Sequence, residues 1–96
     1  VFRNILNRTA DILHEQGHKS LAHLITDEEG VIRLFEMLEL ADLAKEDRIC
    51  FFNALQLCYQ RYESEGPNNW SAPEFFPGFM EHFKELIAII AAEEEA

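Results

Sequence analysis

One stretch of this chain constrains its fold more than any other. From Ile49 to Tyr62, the residues Ile49, Cys50, Phe51, Phe52, Ala54, Leu55, Leu57, Cys58, Tyr59 and Tyr62 are apolar. At about 3.6 residues per turn they occupy most of a helix's circumference. Asn53, Gln56, Gln60 and Glu63 leave only a narrow polar stripe, at i, i+3, i+7 and i+10. A helix apolar on nearly every side has to be covered from several directions. The segment from about 44 to 63 is therefore expected to be the central helix of a bundle.

The rest of the chain carries the helices such a bundle needs. Phe2, Ile5, Leu6, Thr9, Ile12 and Leu13 recur at i, i+3, i+4 spacing and predict a helix over about 2–15. Gly17 follows directly, where a left-handed residue commonly stops a helix. Leu21, Leu24 and Ile25 predict a short helix from Lys19 or Ser20 to Ile25. Thr26-Asp27-Glu28-Glu29 matches a capping box, and three acids in a first turn also suit the helix dipole. A third main helix is expected from there to about Leu40, with Val31, Leu34, Phe35 and Leu38 inward. Asp42 is the expected N-cap of the central helix, and Gly66-Pro67 its stop. Ser71-Ala72-Pro73-Glu74 is a second capping-box match, but Pro77 would break a helix begun there. A short turn at 72–75 is expected instead, followed by a last helix with Pro77 in its first turn. Its inner face would be Phe79, Met80, Phe83, Leu86, Ile87 and Ile90, and Glu93-Glu94-Glu95 oppose the dipole at a terminus expected to fray. Alternating strand patterns with hairpin dipeptides are not found. The fold class is all-α: one domain over 1–96, a compact bundle of four main helices plus one short one.

Charge narrows the classes of partner. Eighteen acids against eight bases give a net charge of −10. Such a chain lacks the cationic surface that a nucleic-acid backbone or an anionic membrane requires. It suits a basic protein partner, or serves only to keep the chain in solution. Cys50 and Cys58 lie roughly 12 Å apart along one helix, too far for a disulfide within it, and read as reduced thiols of a cytoplasmic protein. No apolar run approaches a membrane span. The chain begins at Val1 rather than Met, a pattern consistent with the removal of an upstream segment.

One motif suggests chemistry. His14-Glu15-Gln16-Gly17-His18 has the letters H-E-x-x-H, which on one continuous helix supply two zinc ligands and a general base. Two features oppose that reading. Gly17 stands where the helix should end, leaving His18 outside it. In the longer metalloprotease pattern, Leu21 and Leu24 occupy the positions of the second glycine and third histidine, and His23 is one residue early. A looser metal site built from His14, His18 and His23 is the alternative. No glycine-rich phosphate loop and no nucleophile elbow occur. Asn53, Gln56 and Gln60 would line either a polar groove or simply the solvent edge of the central helix.

The aromatic loop is the stronger candidate. Trp70, Phe75 and Phe76 follow Asn68 and Asn69 in a Pro-containing segment, with Phe79 just beyond. Trp and Phe are enriched at interaction hot spots, although aromatics also close the ends of bundles. Exposure of Trp70 or Phe76 would make this a partner surface or a homodimer seam. The leading expectation is a non-catalytic, acidic interaction protein (adaptor, immunity or inhibitor type) with no cofactor, binding another protein through Trp70, Phe75, Phe76, Asn68 and Asn69. The alternatives are a small metal-binding helical protein using His14, His18 and His23, and a DNA-mimic inhibitor with acids spaced like phosphates.

Overall fold

A computed structural model describes residues 2–26, Ile32 and residues 39–95, apart from the side chains of Phe2, Leu40, Asn69 and residues 93–95. Among the described residues, four α-helices follow in order: α1 (Phe2–Glu15), α2 (Lys19–Ile25), α3 (Lys45–Glu65) and α4 (Phe76–Glu95). Short 3₁₀ turns at Leu40–Asp42, Gly66–Asn69 and Pro73–Phe75 join or precede them. The protein is all-α, and no strand occurs among the described residues; a single antiparallel bridge pairs Thr26 with Ile32.

The stops are chemical. Gly17 has φ +86, and the hydrogen bonds beside it complete a two-bond terminus. Its own N–H donates to the His14 carbonyl at 3.1 Å, while the His18 N–H donates to the Leu13 carbonyl at 2.8 Å. These are the two bonds of a Schellman motif, and they satisfy carbonyls that α1 would otherwise leave open. Gly66, also at positive φ (+68), ends α3 differently, with a single bond from its N–H to the Tyr62 carbonyl, and Pro67 after it has no N–H to add a second. Pro77 lies in the first turn of α4, where its missing N–H breaks no helical bond.

The core is built from facing stripes. α1 buries Ile5, Leu6, Thr9, Ala10, Ile12 and Leu13; α2 buries Leu21, Ala22 and Ile25. Phe51, Ala54, Leu55 and Cys58 of α3 are fully buried, as is Phe83 of α4, with Phe79, Met80 and Ile90 beside it. Thr9 is the only buried polar residue in the described set, and its hydroxyl donates to the Ile5 carbonyl at 2.7 Å, so nothing polar is stranded there. α3 meets α1 on one side and α4 on the other. The α3–α4 pair is antiparallel, with Tyr59 edge-on to Phe83 at 5.3 Å and Tyr62 edge-on to Phe79 at 5.1 Å. Coverage of α3 is uneven. Cys50, Phe52, Leu57, Tyr59 and Tyr62 are half-covered, and Ile49 is 48% exposed.

Local details depart from the sequence reading at two points, Asp42 and the end of α4, and one further reading falls outside the described residues. Asp42 does not cap α3. Its carboxylate accepts from the Glu39 N–H at 2.9 Å and so closes the preceding 3₁₀ turn, while Ala44 takes the N-cap position without a side-chain bond. Asp is as well suited to a short turn as to a cap, and the turn lies closer. The expected third helix, with its capping box at Asp27–Glu29 and its inner residues Val31, Leu34, Phe35 and Leu38, lies outside the described residues. Ile32, within that span, is buried and bridged to the extended Thr26. α4 also runs to Glu95, through the acids expected to fray. An exposed dipole penalty is small and salt-screened, and a long helix absorbs it.

Candidate functional site

Three places on the molecule gather groups that could act. The first is the histidine segment. The Schellman stop puts His14 in the last turn of α1 and His18 at the N-cap of α2, with φ −91 and ψ 58. The two imidazoles that the letters pair at i and i+4 are thus mounted on different elements. Glu15, the residue a metalloprotease would use as base, is engaged elsewhere: its carboxylate accepts from the Arg61 guanidinium of α3 at 3.0 Å. What the fold brings together instead is His14 and His23, with ring centres 5.2 Å apart and planes at 60°. Among the described residues, no group of three or more His, Cys, Asp or Glu is arranged to hold a metal ion.

The second place is the aromatic corner between α3 and α4. Trp70 is partly buried and edge-on to both Phe76, at 5.3 Å, and Phe79, at 4.9 Å. Phe79 in turn contacts Tyr62 and Phe83. Trp70 and Phe76 therefore belong to the closed end of the bundle, packed against its core. Edge-to-face pairs of this kind add about 0.5–1.5 kcal/mol each beyond their buried area, so the corner is stiff. Phe75 is different. It ends the 3₁₀ turn Pro73–Phe75 and is 68% exposed, the most exposed large apolar side chain among the described residues. Glu74 and Asn68 are exposed in the same segment, while the Asn69 side chain lies outside the described residues. The sequence reading looks to Trp70 or Phe76 for exposure, but both are partly buried and Phe75 is the exposed one, because the 3₁₀ turn presents it away from the ring cluster that takes the other two. The packing separates them.

The third is a shallow groove of about 340 Å³ between α3 and α4, lined by Gln56, Tyr59, Gln60, Glu63, Lys84 and Ile87. The polar stripe of α3 forms one wall. Tyr59, Lys84 and Ile87 were not foreseen as lining residues, because only the antiparallel pairing of the helices sets them opposite the glutamines.

Supporting charges hold these elements in place. Arg8 of α1 bonds to Glu65 at the end of α3 and lies over the Tyr62 ring, 4.4 Å from its centre. The bond from Arg8 holds the Glu65 carboxyl below its ordinary range. Burial pushes the Tyr62 phenol up, with Arg8 opposing. Burial likewise pushes the Cys58 thiol up, while Thr9 beside it acts the other way; the Cys58 sulfur lies 4.0 Å from the Ile5 carbonyl. A thiol so buried and so shifted is a packing group, not a nucleophile. Glu15 and Glu65 are paired with Arg61 and Arg8 respectively, so these two carboxylates are not free anions.

Set against models of known protein families, characterised proteins and solved structures, the chain matches none of them. Function must therefore be argued from these three places alone. Among the described residues, no helix is long and apolar enough to cross a membrane.

Proposed function

We propose that this protein is a non-catalytic interaction module that binds another protein, with Phe75 as its anchor. One observation carries the reading: Phe75 stands 68% exposed on a corner whose other aromatics, Trp70, Phe76 and Phe79, belong to the core or pack against it. Exposing a phenylalanine forgoes about 1.5–3 kcal/mol of burial, a cost a partner's pocket would recover. Phe75 adjoins Phe76 in sequence, and Trp70 packs on both Phe76 and Phe79, so the segment that carries it starts ordered and little ordering entropy is lost on binding. Asn68 and Glu74, exposed in the same segment, supply polar groups for a partner. The net charge of −10 favours a basic partner, and a cytoplasmic setting suits two reduced cysteines.

Affinity capture comparing wild type with Phe75→Ala tests the proposal. Phe75 touches little of the core, so the variant should melt within a degree or two of wild type, as most surface changes do. Its partners should be lost or weakened by at least about tenfold, the loss expected of a hot-spot aromatic. Identical partners at identical yield from both proteins would refute the role given to Phe75. Trp70→Ala is the poorer probe, because it removes part of the bundle's end cap as well.

A further inference from the structure

We propose that His14 and His23 form a two-imidazole site for a borderline divalent transition metal, with zinc as the representative ion, bridging α1 and α2. The proposal is independent of Phe75 and lies elsewhere on the molecule.

The argument begins with the terminus of α1. By stopping the helix at Gly17, the Schellman turn reverses the chain within three residues and lays α2 against α1. Leu21, Ala22 and Ile25 go inward and are buried, which leaves His23 on the outer side of α2. His14 occupies the outer side of the last turn of α1. Both are solvent-exposed, and their ring centres are 5.2 Å apart. An imidazole nitrogen binds zinc at roughly 2.0–2.1 Å, which sets each ring centre about 3.2 Å from the ion. Two rings on adjacent corners of a tetrahedron then have centres about 5 Å apart, close to the spacing observed. Tetrahedral ligation leaves each ring free to turn about its own bond to the metal, so planes at 60° suit it as well as any other angle.

The surroundings suit an open site rather than a closed structural one. No third histidine, cysteine or carboxylate among the described residues joins the pair, so water would complete the shell. Glu15 is drawn away to Arg61, and His18 sits apart at the start of α2. Asp11 lies one turn before His14 and Lys19 one turn before His23, a charge of each sign on either side. Imidazole nitrogens suit zinc, copper and nickel, and not the hard ions calcium or magnesium. The H-E-x-x-H letters thus name one true ligand and two residues that the fold sends elsewhere.

Zinc chloride alone, titrated into tag-free protein and read by melting temperature, tests the site. A metal that binds only the native state raises the melting point by an amount that grows with the logarithm of its concentration once that exceeds the dissociation constant. The wild type should show a rise that keeps climbing logarithmically with added zinc. His14→Ala and His23→Ala should each need at least about tenfold more zinc for the same rise. His18→Ala should respond as wild type does, and all three variants, being surface changes, should keep wild-type helicity without metal. A second readout is direct: zinc should shift the ring-proton resonances of His14 and His23 and leave those of His18 and His82 in place. No rise in the wild type, or an undiminished rise in either His14→Ala or His23→Ala, would overturn the proposal. Equal loss in His18→Ala would overturn the two-ligand assignment in favour of the three-histidine set.

Discussion

At the scale of the residue, the decisive positions are those that allow only one reading of the backbone. Gly17 is one. A side chain added there would meet no atom within 4 Å, so any cost of Gly17→Ala comes from the backbone, at φ +86, and not from a clash. We expect about 1 kcal/mol of destabilisation, with Gly17→Asn milder because Asn tolerates the left-handed region. Chemical denaturation separates the two; equal and negligible effects would show that α1 does not depend on this stop. Glu65 matters for a different reason, its side-chain pairing with Arg8. Its folded pKa is depressed by Arg8, so the ionised form is favoured in the native state. The stability this adds is complete above the ordinary carboxyl range and is lost as pH falls through the lower folded value. The gap in melting temperature between wild type and Glu65→Gln should therefore close as pH drops below about 4. A gap that widens in acid would contradict the Arg8 pairing. Because the pair is largely exposed, the gap should also shrink in salt.

At the scale of the element, α3 explains why composition reads so strongly and yet incompletely. Its apolar residues fall into a fully buried set, Phe51, Ala54, Leu55 and Cys58, and a half-covered set that meets α4 through tyrosines. The two sets should respond differently to truncation. Phe51→Ala empties a site with no exposure and should cost about 3–5 kcal/mol, whereas Ile49→Ala, at a position 48% exposed, should cost well under half of that. Equal losses at the two positions, measured by denaturant titration, would mean that Ile49 is covered in solution. The helix ends were legible because glycine and proline act locally: Gly17, Gly66 and Pro77 each needed only their own backbone chemistry. Asp42 was not legible in the same way. Two turns within reach could use one carboxylate, and the letters do not rank them.

At the scale of the whole molecule, the periodicity of apolar residues determined that the chain is helical, roughly where α1, α2, α3 and α4 run, and which stripe of each turns inward. It could do so because helix formation and its termination depend on neighbours three and four positions away. Only the tertiary structure decided that Trp70 and Phe76 close the bundle while Phe75 stands free, and that Glu15 turns to Arg61 while His14 turns to His23. It alone set Lys84 and Ile87 across a groove from Gln56 and Gln60. Those outcomes depend on the angle and register at which separate helices meet. Such angles arise from the summed packing of many side chains, a quantity that no short window of sequence contains.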